Sequence, residues 1–206
     1  ALTLCTLCTL CASPATAAGT WTTVVQPAGS PSAGGMVLLS DGTAFCLVDQ
    51  NGDQVGDRWQ RLVPDANGSY VNGTWGPATA MINTRLYFSS QVLRDGRLYV
   101  AGGEYGSGLS AAEVYNPLTN TWTAAPSPGG TVSDANSELL PDGRVLQALV
   151  TGNLRQTKIY DPATNTFANG PTCLGIHNES TWVKLPDNSV LFVDRLSTAS
   201  ERYIPA

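Results

Sequence analysis

The sequence carries little charge. Asp, Glu, Lys and Arg make up 13% of its 206 residues, roughly half the usual share for a soluble domain. Lysine is almost absent, at Lys158 and Lys184 alone, and histidine occurs once, at His177. The 11 basic against 16 acidic residues leave a net charge of −5 and no basic cluster. That excludes nucleic acid as a partner, because phosphate binding needs clustered Lys and Arg. With one His, a His-based triad or a multi-His metal site would need residues outside this chain. No G-x-S-x-G elbow occurs, so nothing marks a serine nucleophile. The apolar run Ala1–Ala12 is short of the ~20 residues that cross a bilayer, which excludes an integral membrane span. No segment has a helical period. What is abundant is 21 Gly and 13 Pro beside 42% hydrophobic residues, a composition of short strands and turns around a core.

The first forty residues carry no charge, Asp41 being the first. Residues 1–12 (ALTLCTLCTLCA) are followed by Ser13-Pro14 and Ala15-Thr16-Ala17. This reads as the apolar region of a secretory signal with an A-x-A cleavage site, so residues 1–17 are expected to be a signal remnant and the product secreted. Cys5, Cys8 and Cys11 leave with it, and their spacing has no neighbouring His or acidic residue to complete a metal site. Cys46 lies in the apolar run Ala44–Val48 and Cys173 in a Gly/Pro-rich loop. Either the two pair in an oxidising compartment, or they stand as a buried thiol and a loop thiol.

The chain repeats itself. Thr20-Trp21, Thr74-Trp75, Thr121-Trp122 and Thr166-Phe167 each place an aromatic 20 positions before Asp41, Asp95, Asp142 and Asp187. Leu39, Leu93, Leu140 and Leu185 stand two positions before those Asp residues, and three of the four precede Gly. Asp-Gly between alternating apolar residues signals a two-residue hairpin with φ > 0 at both central positions. A second anchor matches Tyr115-Asn116-Pro117 through Trp122 with Tyr160-Asp161-Pro162 through Phe167. Each unit therefore reads as four short antiparallel strands every 45 to 54 residues, the period of a propeller blade.

At these residues the chain resembles the kelch-repeat β-propellers, including the propeller of the galactose oxidase-like superfamily. The second unit carries the likeness best, from Val92-Leu93-Arg94-Asp95-Gly96 to Ala101-Gly102-Gly103, then Tyr115 and Trp122. Residues 59–75 also look like a group of secreted microbial kelch proteins. The expected fold is all-β, a kelch-type propeller over 18–206 with blades at about 34–78, 84–127, 132–172 and, in part, 177–206. Residues 19–25 are expected to be a closing strand for the last blade of a longer ring, or else for a closed four-bladed ring. Tyr203-Ile204-Pro205 repeats the Tyr-x-Pro anchor without its following aromatic, so the chain is expected to be a piece of a larger propeller.

Function in such a scaffold belongs on the loops leading into each inner strand and on the loops between the second and third strands. These hold Asp134, Asn136 and Glu138; His177, Asn178 and Glu179; Glu104-Tyr105; and Asp194-Arg195. Carboxylates beside one imidazole suit acid–base work or a cation, and equally the capping of turns. Trp59, Tyr70, Tyr105 and Trp182 fall off the repeat and suit a ligand surface, whereas Trp21, Trp75, Trp122, Phe167, Tyr115 and Tyr160 are expected to pack. The candidate ligand-binding residues are Glu104, Tyr105, Asp134, Glu138, His177, Glu179 and Trp182, with no catalytic or metal-ligating set and no cofactor expected. The resemblance implies copper only in an alternative reading as part of a copper-radical oxidase. Phe45-Cys46 lies in the body of a strand, aligned with Val100, so the oxidase cysteine role is not transferred to it. The expected function is a secreted, non-catalytic recognition module for a carbohydrate or protein ligand. The alternatives are the oxidase propeller and a structural cell-surface repeat domain.

Overall fold

The computed structural model describes residues 19–24, 26, 27, 29, 33–48 and 52–206. The signal remnant at 1–17, with Cys5, Cys8 and Cys11, lies outside the described residues. Among the described residues all regular structure is β, in four antiparallel sheets. The first blade runs from β1 (Ala33–Leu38) through β2 (Ala44–Val48) to β3 (Gly56–Val63), whose outer edge is shared by β4 (Thr74–Trp75) and β5 (Thr79–Leu86). The second comprises β6 (Ser89–Val92), β7 (Leu98–Ala101), β9 (Ala112–Asn116) and β10 (Thr121–Ala125), with the short β8 (Tyr105–Gly106) in its β7–β9 loop. The third is β11 (Ser137–Leu139), β12 (Val145–Gln147), β13 (Gln156–Asp161) and β14 (Thr166–Thr172). The fourth has three strands, β15 (Thr181–Lys184), β16 (Val190–Val193) and β17 (Ser200–Tyr203). The inner strands β6, β11 and β15 lie in succession, which makes each sheet a propeller blade.

The four Asp turns form hairpins, but not of the expected type. Gly42, Gly96, Gly143 and Asn188 have φ of 80°, 86°, 91° and 66°, and the Asp before each stays at negative φ. Each turn closes with paired bonds, as Gly96 N to Leu93 O at 3.0 Å and Leu93 N to Arg97 O at 2.7 Å. That is a type I turn followed by a left-handed residue, which needs Gly or Asn at one position only. Asp serves through its side chain: Asp41, Asp95, Asp142 and Asp187 accept from the backbone N–H two residues on, at 2.9 to 3.1 Å.

The repeat aromatics pack between blades. Phe45 of β2 stacks on Tyr115 of β9 at 4.5 Å, and Trp122 of β10 closes against Tyr115 at 5.1 Å. One blade on, Tyr99 of β7 stacks on Tyr160 of β13 at 4.9 Å, with Phe167 of β14 at 5.1 Å from Tyr160. Apolar residues from adjacent sheets, including Leu93, Ala101, Val132, Val145 and Leu149, complete the core between the second and third blades. Gly102 shows why the Gly-Gly pair is needed: at φ 72°, a Cβ there would stand 2.1 Å from the Val132 carbonyl oxygen.

Two further features belong to the first blade and the segment before it. Residues 79–86 form β5, which starts along β3 and ends paired to β8, with Leu86 opposite Tyr105; this strand joins the first blade to the second. The other is the N-terminal stretch, where residues 19–24 form no strand and Trp21 stands exposed.

Candidate functional site

Three loops that lead into inner strands share one backbone oddity. Tyr87, Asp134 and Glu179 precede β6, β11 and β15 and are spaced by 47 and 45 residues, the same intervals that separate Asp95, Asp142 and Asp187. Each is a non-glycine residue in the left-handed region, with φ of 53°, 49° and 53°. Such a conformation costs about 1–3 kcal/mol and persists where surrounding contacts enforce it. Here the enforcement is mutual. Asp134 N donates to Tyr87 O and Glu179 N to Asp134 O, each at 3.2 Å, so the backbones of three blades are linked in series. The three side chains meet at a shallow depression that also holds Phe88 and Asn136.

The β7–β9 loop of the second blade adds Glu104 and Tyr105. The Tyr105 ring meets Tyr87 edge-on at 6.3 Å, and the two remain 51% and 54% exposed. Glu104 shares a hydrogen bond with the Asp134 carboxyl. Partial burial, followed by Glu104 and then Glu179, pushes Asp134 up to about 6, against the pull of Arg195. A like charge beside a carboxyl disfavours its ionised form. Glu104 likewise raises the Tyr105 phenol. Arg195 anchors the far side, 3.2 Å from the Glu179 carboxylate and 3.3 Å from Asn178 O. The result is an acidic rim with two open aromatic faces and one guanidinium.

The expected site residues therefore divide. Glu104, Tyr105, Asp134 and Glu179 gather at this rim. Glu138, His177 and Trp182 lie instead toward the contact between the third and fourth blades. Glu138 faces Lys184 at 3.6 Å, and Lys184 also donates to Leu139 O. His177 is 3% exposed, and its Nδ1 accepts from Trp182 Nε1 at 2.7 Å. Trp59, off the repeat, is wholly buried against Phe45 at 4.9 Å, and Tyr70 donates its hydroxyl to Gly42 O at 2.6 Å. Tyr87 was not singled out by type; its 47-residue spacing from Asp134 was the available signal. Cys46 and Cys173 are free thiols, the first buried in β2 and the second half-buried. Burial, then Glu201, pushes Cys173 up to about 12, so it stays protonated and unreactive. Among the described residues no three of His, Cys, Asp and Glu are grouped to hold a metal ion.

The Kelch motif model matches residues 92–129, which span the second blade from the end of β6 past β10. The solved structure of YjhT superposes with a TM-score of 0.61 at 15% identity, over 81% of this chain and 58% of that one. The chain has a β-propeller fold that carries a kelch motif in its second blade. The F-box/kelch-repeat protein SKIP30 of Arabidopsis thaliana is 31% identical over 121 residues, covering 57% of this propeller and 33% of that protein. Galactose oxidase of Gibberella zeae is 38% identical over 56 residues, 26% of this propeller and 8% of that protein. The propeller thus spans a third or less of the length of these curated relatives. Among its described residues no helix is long and apolar enough to cross a membrane.

Proposed function

We propose that this kelch propeller is a non-catalytic recognition module that takes a glycan or protein ligand at the rim formed by Tyr87, Glu104, Tyr105, Asp134, Glu179 and Arg195. The observation that carries the reading is the set of three repeat-equivalent left-handed residues. They spend backbone strain to aim Tyr87, Asp134 and Glu179 at one depression, and strain of this kind clusters at functional sites. Exposed tyrosines offer faces to sugar rings or apolar side chains, while carboxylates accept from hydroxyl or ammonium groups. A glycan array and a peptide array, followed by calorimetry at pH 7.5, test it. Tyr87→Ala and Tyr105→Ala are each expected to weaken an identified ligand at least tenfold, and absence of any ligand on both arrays overturns the reading. The product is proposed to be secreted, on the strength of the apolar run and A-x-A site at 1–17. N-terminal sequencing of exported protein should start after Ala17.

A second reading, favoured by the 56-residue match to galactose oxidase, makes the chain the propeller portion of a copper-radical oxidase. The residues described do not fit copper. The sole His is buried and bonded to Trp182, and Cys46 lies within β2 with its thiol directed at Leu47 O. Copper loading and H₂O₂ release assayed on the full-length protein separate the two readings.

A further inference from the structure

One position of the repeat is buried in three successive units and carries a base in two of them. Arg85, Val132 and His177 are spaced by 47 and 45 residues, and all three are buried. In the second blade Arg85 meets Glu113 of β9 at 2.7 Å, with both side chains fully buried. Glu113 also accepts from Ile82 N at 2.6 Å and Asn83 N at 3.1 Å. The fourth blade repeats the carboxylate's two backbone contacts. Glu201 of β17 accepts from Leu174 N at 2.8 Å and Gly175 N at 2.7 Å, again three and two positions before the buried base. The base is now His177, whose Nε2 lies 3.8 Å from Glu201 Oε1. That separation is too long for a hydrogen bond, and Nε2 is buried without a partner. A cavity of roughly 120 Å³ adjoins it. Where one blade closes with a permanent cation, the other closes with a titratable ring.

We propose that the His177–Trp182 hydrogen bond is an acid-labile latch holding the lead-in loop of the fourth blade against its sheet. The indole Nε1–H of Trp182 is a donor only, so Nδ1 of His177 must be its acceptor and the ring proton must sit on Nε2. Protonation places the ring's second N–H hydrogen on Nδ1. Two donors then face each other across 2.7 Å, the bond is lost, and the cation must turn toward Glu201 or Asp194, or out to water.

The surroundings set the balance. β15 presents Trp182 and β16 presents Phe192, whose ring centre is 3.9 Å from the imidazole. β17 presents Glu201, Arg202 and Tyr203, the 194–195 loop presents Asp194, and the segment after β14 presents Cys173. Arg202 is engaged by Asp187 and Ser189, and Cys173 stays a neutral thiol. The third blade faces the cavity with Leu146, Thr157, Pro171 and Thr172, none of which titrates. Burial outweighs Glu201 and Asp194 and holds the imidazole below its ordinary 6.5, so the latch is closed at neutral pH and opens in acid. Glu179 follows two residues later, so opening also frees one side of the rim. That consequence rests on the recognition reading, whereas the latch does not.

The test is an NMR titration of the full chain from pH 8 to 4, following the indole resonance of Trp182, assigned with Trp182→Phe, and the ring nitrogens of His177. The expected result is a one-proton shift or loss of the Trp182 indole signal with a midpoint below 6.5, coincident with protonation of Nδ1. His177→Gln offers an oxygen to the same indole without titrating and should abolish the response. A Trp182 signal unchanged across the range, or a response that survives in His177→Gln, overturns the proposal. Should that variant fail to fold, the titration of the unaltered chain decides alone. Ligand binding measured at pH 7.5, with the latch closed, tests the rim separately.

Discussion

Asp134 is the residue whose chemistry the fold alters most visibly. Its pKa in the folded chain, about 6, stands above the unfolded value, so its stabilising contribution is complete below about 3.9 and lost as pH rises through 6. Asp134→Asn should remove that loss. The variant should gain about 1 kcal/mol over the parent at pH 7.5, after allowance for solvent screening, and nothing at pH 4. Thermal melts at the two pH values check it. Glu113 makes the opposite case. It holds Arg85 with both groups out of water, and removing one partner strands a buried charge. Glu113→Gln should cost about 3–5 kcal/mol in chemical denaturation, and adding Arg85→Met should recover part of it. Neither behaviour was legible in the residues alone. Glu104, Asp134 and Glu179 could be placed on functional loops by their position in the repeat, but that Asp134 is the one perturbed depends on contacts between loops about 30 and 45 residues apart. The bond between His177 and Trp182 was not legible either, because residue type does not report that the fold buries the imidazole.

Among elements, the hairpins and the paired Tyr-to-aromatic strands were readable because their determinants are local: an Asx side chain, one left-handed residue, and alternating apolar positions. Even so, the turn type was wrong, since Asp-Gly serves a three-residue hairpin as readily as a two-residue one. β5 escaped for a physical reason. Its sequence, TAMINTRL, alternates poorly because its register on β3 shifts along its length and its far end has β3 on one side and β8 on the other, Arg85 facing both Gly56 and Gly106. The β5–β8 crossing and the Gly102 contact together seat the second blade. Gly102→Ala should therefore cost more than about 1 kcal/mol, since the new Cβ meets the Val132 carbonyl and φ is positive. Gly96→Ala, with φ also positive but only the Ser40 side chain nearby at 3.6 Å, should cost less. Urea midpoints of the two variants compare steric contact against backbone strain alone.

For the whole molecule, the blades differ in how much core binds each to its neighbour. Between the second and third blades lies a large buried cluster that includes Tyr99, Ala101, Val145 and Tyr160, whereas Leu140, Leu146 and Ile159 make up the buried part of the cluster nearest the fourth. Cooperative units open at free energies that follow such burial. Amides of β16 and β17 should accordingly exchange with solvent before those of β7, β9 and β12 in hydrogen-exchange measurements at neutral pH. Acid adds a second bias. Burial holds His177 below 6.5, so its contribution is present above that value and lost as pH falls through its depressed pKa. Exchange in β15–β17, corrected for intrinsic rates, should quicken between pH 7 and 5 by more than in β6–β10, whose lead-in segment is fixed by Arg85. Equal acceleration in both blades would mean that acid acts on the molecule as a whole, and not through the one buried imidazole.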